Sequence, residues 1–401
     1  MMKKIISLTF AFFLALSLTA NAAYTGADIY KSMEKAFGWM DKNASPLGDA
    51  DSVASDYFVM ALARANRSFD FGKYIKITGS KRNETIQDAH RIIMSNAASG
   101  GRLDETLIAN NTYNTKLDSC DDIAGAIIAL CGGGYTVRSE NNSIDEMTAR
   151  LISNQLSDGS FDRDIVTTAK SIIALSFCSG RVYAVDGDYK DVVYYFDVNN
   201  SILRAVNYLQ NSKNDDFGYG SIMNTAYVIM ALDSAGIDAD NDLGFSAGEK
   251  SLLGNLLEKQ SEDGSFSDSA DDNAFVLCAL VSHLRAMQGK AHFFEFRSDD
   301  RLENPDVYVE DINRSGEGLN NDLVGAEAIK IKLTEDSENE EEDFGTKPVI
   351  TTGKPLPDTQ TEQPQKSKAL SVALICLSVL TIAVVVMAFI MYFTGTRPRK
   401  K

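Results

Sequence analysis

The sequence predicts an all-α chain: an α/α toroid of five to six outer/inner helix hairpins, with a small β-element, a disordered stalk and one C-terminal transmembrane helix. Three observations predict it. An apolar run closing on Ala-Leu returns five times before residue 290; each run follows a helix with one polar face; and 25 uncharged residues stand together near the C-terminus.

Residues 1–22 read as a secretory signal peptide. Lys3 and Lys4 precede an uncharged run from Ile5 to Thr19, and Ala20-Asn21-Ala22 supplies the small residues for cleavage after Ala22.

Residues 23–290 hold the toroid. The Ala-Leu pairs are Ala61-Leu62, Ala129-Leu130, Ala174-Leu175, Ala231-Leu232 and Ala279-Leu280. Helices that are apolar on nearly all sides must be enclosed by other protein, which makes them inner helices. Their partners alternate: Ile202, Leu203, Val206 and Leu209 with Arg204, Asn207 and Gln210, as an outer helix with a solvated face requires. The joining turn repeats as well, in Gln155-Leu-Ser-Asp-Gly-Ser-Phe161 and Gln260-Ser-Glu-Asp-Gly-Ser-Phe266, with a looser version from Gln210 to Gly218. Asp-Gly suits a turn needing a positive backbone dihedral, and the Phe returns to the core.

After the toroid, residues 291–334 form a small β-element or packing arm, because Asp306 to Glu310 and Ala328 to Leu333 alternate like short strands. Residues 335–368 are a disordered stalk: acidic from Glu335 to Asp343, then rich in Pro, Thr and Gln, they cannot bury a core. Residues 369–393 are long and apolar enough to span a bilayer, and the basic tail 394–401 stays cytoplasmic. This places the preceding domain outside the cell on a single-pass anchor. Leu356-Pro357-Asp358-Thr359-Gln360, followed by an apolar helix and a basic tail, resembles a sortase cell-wall sorting signal. That family's motif ends in Gly, and Gln360 stands there instead, so membrane anchorage is the expectation and wall attachment the alternative.

Charge and scarcity exclude several functions. The net charge is −17, and setting aside the six basic residues of the two ends leaves 33 basic against 56 acidic residues, or −23. Such a field repels phosphates, so nucleic acid is not a partner. One Trp, three His and five Cys argue against a zinc centre or a disulfide framework. Cys120, Cys131, Cys178 and Cys278 lie in or beside apolar helical runs as core residues, with Cys131 and Cys178 the one pair to entertain as a disulfide.

Gln-x-x-Asp-Gly-Ser-Phe followed by Thr-Ala-x-x-Ile-x-Ala-Leu resembles the repeat of the terpenoid cyclase and protein prenyltransferase superfamily. The likeness covers residues 24 to 290. It implies the toroid, which in that superfamily also serves complement-type and cobalamin-carrier proteins. The triterpene cyclases carry Trp where Phe161 and Phe266 stand, and they protonate substrate with Asp-x-Asp-Asp. Here Asp118-Ser-Cys-Asp121-Asp122 and Asp268-Ser-Ala-Asp271-Asp272 keep the final pair but have Ser119 and Ser269 in place of the first Asp. If the chain is an enzyme, Asp121, Asp122, Asp271 and Asp272 are the catalytic candidates, for terpenoid or polysaccharide chemistry. The other reading is helix capping, which a motif repeated in two hairpins favours. No zinc set around His283 and Cys278 and no thioester motif is present.

Two further candidate sites follow from the residues. Asp238, Asp240, Asp242, Ser246 and Glu249 stand at the ligand positions of a calcium-binding EF-hand loop, but Leu243 occupies the position where Gly makes the sharp turn, so the alternative is an acidic solvated connection. No other cofactor is implied. Aligned on Ala-Leu, the slot four before the Ala holds Tyr57, Gly125, Lys170, Tyr227 and Phe275; the slot seven before holds Ala54, Asp122, Thr167, Asn224 and Asp272. Residues three apart share a helix face. A varied face among uniform ones points to a central cavity with Tyr57, Asp122, Lys170, Tyr227 and Phe275 as ligand-binding candidates; the alternative is that these slots meet different outer helices. The resulting expectation is a non-catalytic surface protein that binds an extracellular ligand or protein.

Overall fold

The computed structural model describes residues 24–50, 52–79, 85–104, 108, 112, 115–135, 142–186, 193–248, 250–298, 300–304 and 328–331. The expected signal peptide, stalk, sorting-type motif, spanning segment and tail, and the strand expected at Asp306 to Glu310, lie outside them. Among the described residues no helix is long and apolar enough to cross a membrane.

The described chain is mostly helical. In order run α1 (Gly26–Asn43), α2 (Val53–Arg64), α3 (Phe71–Thr78), α4 (Ile86–Ala98), α5 (Cys120–Gly133), α6 (Ile144–Ser153) and α7 (Ile165–Ser176). Then come strands β1 (Val182–Asp186) and β2 (Val193–Asp197), and helices α8 (Val198–Ser212) and α9 (Ile222–Ser234). The short strands β3 (Ser246–Ala247) and β4 (Lys250–Ser251) precede α10 (Leu252–Leu257) and α11 (Ala270–Met287), and β5 (Ile329–Ile331) is the last element.

Every one of these helices begins on a Ser, Thr or Asp whose side chain accepts a hydrogen bond from the backbone N–H three residues on, as Ser52, Ser119, Asp164, Ser221 and Ser269 do for five of the inner helices. Such caps contribute about 1 kcal/mol each. Ser119 and Ser269, which interrupt the Asp-rich motif, are therefore the caps themselves, and the Asp pairs behind them lie in the first turn, where the helix dipole favours negative charge.

Six helices close a ring by consecutive packing: α2 on α4, α4 on α5, α5 on α7, α7 on α9, α9 on α11, and α11 back on α2. They are buried on nearly every side; in α2 only Val53 and Ala63 escape full burial, while α1 buries one face from Ile29 to Met40. Outside the ring α1 packs on α11, α3 on α4, α6 on α5 and α7, α8 on α7, and α10 on α9. The ring thus has six inner helices. Its sixth member, α4, lacks the Ala-Leu signature, and Ser95-Asn96 takes that place; Asn96 stands 34 residues after Leu62 and 34 before Leu130.

The repeated turn locks each hairpin to the next outer helix. Gln155 Nε2 donates to the carbonyls of Gly159 (3.0 Å) and Ser201 (2.9 Å), and Ser201 Oγ donates back to Gln155 Oε1 (2.9 Å), which fastens the turn to α8. Gln260 does the same with Gly264 and Ser32, and Ser32 lies on α1, so this turn ties the last repeat to the first. Gly159 and Gly264 have φ of +92° and +99°, and a Cβ there would meet the backbone oxygens of Arg204 at 2.2 Å and Lys35 at 2.3 Å. Glycine is required twice over, by conformation and by close approach.

Between α7 and α8 the antiparallel hairpin β1–β2 is inserted, and β5 joins it in parallel with Ile329 opposite Tyr183. The strand expected near Ala328 thus completes a three-stranded sheet, order β2-β1-β5. Residues 290–302 form an arm across the C-terminal ends of the inner helices. Arg64 of α2 donates to the His292 carbonyl (3.1 Å), and Arg285 of α11 donates to the Ala291 carbonyl (3.1 Å) and to Asp300 (2.6 Å). The arm buries Phe293, Phe294 and Phe296.

A cavity at the centre of the helical ring

At the ring's centre lies a cavity of about 160 Å³. The residue four before the Ala position reaches its wall from all six inner helices: Tyr57, Arg91, Gly125, Lys170, Tyr227 and Phe275. On α4, α5 and α7 the wall continues one turn on with Met94, Ile128 and Ile173, and Phe294 of the arm lies against it too. Val53 and Gln87, in the first turns of α2 and α4, mark the opposite, N-terminal side.

One half of the wall is aromatic. The Phe275 ring stands between the two tyrosines, with centroids 4.3 Å from Tyr57 and 5.0 Å from Tyr227. The phenol oxygens of Tyr57 and Tyr227 are 2.8 Å apart, one donating to the other. Burial pushes both phenols up, so the pair is neutral and presents ring surface rather than charge.

The other half is basic. Arg91 Nε donates to Asp56 Oδ2 (2.7 Å) and its Nη1 to Asp88 Oδ1 (2.7 Å). Asp56 is fully buried and also accepts from the Tyr74 hydroxyl, whose oxygen lies 2.9 Å from Ser95 Oγ. Burial works against the Arg91 charge, but the two carboxylates outweigh it and hold the guanidinium protonated. Lys170 Nζ pairs with Asp121 at the start of α5, with both side chains partly exposed. His90, nearly buried, lies beside Gly125, where a Cβ would come within 2.7 Å of its Nδ1; any other residue in that slot would displace the imidazole.

Of the five residues expected to bind ligand, the structure brings Tyr57, Lys170, Tyr227 and Phe275 to the cavity wall, and Asp122 is not among the lining. Asp122 sits one turn above, in the capped first turn of α5, where it accepts a hydrogen bond from Gln87 Nε2. Gln87, which does line the cavity, takes up the Asp122 carboxylate instead. The catalytic candidates are not gathered into one site: Asp121 faces Lys170, Asp271 is exposed, Asp272 accepts from Ser267 Oγ at 3.1 Å, and α5 and α11 stand on opposite sides of the ring.

The EF-hand-like loop uses its oxygens internally. Asp238 accepts from the backbone N–H of Asp240 (2.9 Å) and Asn241 (3.1 Å), Asp240 from Tyr24 N–H (2.8 Å) and the Ser251 hydroxyl, and Asp242 from Gly244 N–H (2.8 Å). Ser246 Oγ donates to the Asp242 carbonyl, and Glu249 lies outside the described residues. Among the described residues no three His, Cys, Asp or Glu stand where they could hold a metal ion. The four described cysteines are free thiols, with Cys120, Cys178 and Cys278 buried.

Arg91, His90, Met94 and Gln87 were not legible from the Ala-Leu signature, because α4 lacks it; the regular spacing of Asn96 was the available signal. Phe294 follows the last repeat, and nothing in its local sequence marks it as cavity lining.

No protein-family model and no curated protein matches the chain. Among solved structures it is similar to haptocorrin in complex with Cbi, at 16% sequence identity and a TM-score of 0.45, over 68% of this chain and 69% of that one.

Proposed function

We propose that the chain is a non-catalytic, membrane-anchored surface protein whose helical ring binds a small extracellular ligand in its central cavity. The observation that carries this reading is the convergence of one repeat slot from all six inner helices on a single cavity, filled by three aromatic residues, two cations and one glycine. Positions that only pack helices keep small or aliphatic side chains in five of the six inner helices, as the Ala-Leu pairs do; a wall of Tyr, Arg, Gly, Lys, Tyr and Phe is shaped for something else. The first-turn positions of the Asp pairs behind their Ser caps, and their separation across the ring, support binding over turnover. The spanning segment 369–393 and the acidic stalk support a position outside the cell.

Thermal unfolding of the purified full-length chain against a panel of single-ring compounds tests the reading. A binder raises the unfolding midpoint of the wild type, is recovered chemically unchanged, and has no effect on Ile173→Trp, which fills the cavity with an indole. An equal response in the filled variant refutes the cavity as the site, and recovery of an altered compound moves the assignment to an enzyme.

A further inference from the structure

We infer that the cavity takes a single-ring organic anion, an aromatic monocarboxylate in the simplest case, with its ring against Tyr57, Tyr227, Phe275 and Phe294 and its anionic group toward Lys170. This assignment rests on the central cavity being the ligand site and adds the chemical class of what enters it.

Size sets the first limit. A volume of about 160 Å³ is close to the roughly 150 Å³ of an apolar protein cavity known to hold benzene. One six-membered ring fills it, and a polycyclic or macrocyclic ligand does not enter without opening the ring of helices. Chemistry sets the second. One of the Tyr57 and Tyr227 hydroxyls donates to the other, so the aromatic wall offers flat ring surface and a single remaining O–H, too few donors for a ring that carries several hydroxyls. A carbocycle matches that wall better than a sugar, whose hydroxyls would be buried without partners.

Charge decides between anion, cation and neutral molecule. The lining contains Arg91 and Lys170 and no carboxylate; the acids that balance them, Asp56 and Asp88 for Arg91 and Asp121 for Lys170, all lie outside the lining. The cavity surface is therefore positive although its surroundings are acidic. Lys170 makes one hydrogen bond among the described residues, to Asp121, and an ammonium has three N–H donors. A ligand carboxylate can share the lysine with Asp121 rather than displace it. A cation in the same place would stand against Lys170 and Arg91 in a partly desolvated site, and a neutral ring would leave the spare lysine donors unused.

Calorimetric titration of the full-length chain with benzoate, benzyl alcohol and benzylamine, three single-ring probes of similar size and different charge, tests the class. The expected result is benzoate binding about tenfold or more tighter than either of the others, and about tenfold weaker in Lys170→Met, as loss of one charge-assisted hydrogen bond implies, with benzyl alcohol unaffected by the substitution. If benzyl alcohol or benzylamine binds wild type as tightly as benzoate, the anion assignment is overturned while the cavity remains a ligand site. The same holds if Lys170→Met binds benzoate as wild type does. If none of the three binds wild type, the ligand-cavity reading itself fails, and this assignment with it.

Discussion

One turn ties the last repeat to the first, and Gln260→Ala isolates it. The Gln260 amide donates to the carbonyls of Ser32 (2.9 Å) and Gly264 (3.1 Å), and accepts from Ser32 Oγ (2.8 Å). At about 1 kcal/mol net for each hydrogen bond, the substitution costs about 3 kcal/mol. Gln155 makes the equivalent three bonds between two repeats in the middle of the chain. In a closed ring both glutamines dock on a neighbouring outer helix, so Gln155→Ala and Gln260→Ala lose similar amounts. In an open row of hairpins Gln260 would keep only its bond to Gly264 within the turn, and Gln260→Ala would cost about 1 kcal/mol. Urea unfolding followed by far-ultraviolet circular dichroism, compared at constant slope, distinguishes the two. A loss of about 3 kcal/mol for Gln155→Ala beside about 1 or less for Gln260→Ala refutes ring closure through this turn.

Two more predictions concern buried charge. Burial, with the Arg64 and Arg285 charges beside it, lowers the His292 imidazole in the arm to about 4. A depressed folded-state pKa means that the unfolded chain takes the proton first. Stability is then complete above about pH 6.5 and falls by on the order of 2–3 kcal/mol as the pH drops toward 4. His292→Phe flattens that decline, and an unchanged slope of stability between pH 6.5 and 4 would count against the arm as its source. Asp56→Asn leaves Arg91 buried with one of its two carboxylate partners among the described residues, Asp88, and weakens the acceptor for Tyr74, at a cost of about 3–5 kcal/mol. A loss below about 1 kcal/mol in chemical unfolding would show that this network does not join α2, α3 and α4.

Five of the six inner helices were legible because an enclosed helix has no solvated face, and the apolar run with its Ala-Leu pair says so directly. The sixth was hidden for a physical reason. Its outer partner α3 presents two hydroxyls, Tyr74 against Ser95 Oγ (2.9 Å) and Thr78 against Asn96 Nδ2 (2.9 Å), so polar residues pack where Ala and Leu serve elsewhere. The same loss removed Arg91 and His90 from view. Counting four residues back from the Ala found Tyr57, Lys170, Tyr227 and Phe275, because helix geometry carries one face around the whole ring. The count of seven failed at Asp122, whose carboxylate is taken up by Gln87. The β1–β2 hairpin escaped because it is an insertion and shares nothing with the repeat.

The repeat also explains how an acidic chain can line its centre with cations. An ammonium or guanidinium taken out of water needs opposite charge nearby, but a carboxylate in the lining would cancel the field that a ligand meets. The ring separates the two requirements by helix register. Asp56 and Asp88 lie one position and one turn before the cavity slots of their own helices and reach Arg91 from behind, while Asp121 reaches Lys170 from the first turn of the preceding inner helix, α5. Both acids at helix starts also complement the dipole of the helix that carries them. The cost of burying the cations is thus offset by acids that also lie in the first turns of helices. Asp121, from one of the two helix starts that resemble half of a catalytic motif, acts here as a counter-charge, and the excess of acids over the two cations contributes to the net acidity of the domain. A cavity supported this way keeps its positive face only while α4, α5 and α7 hold their register, which ties ligand selectivity to the packing of the ring.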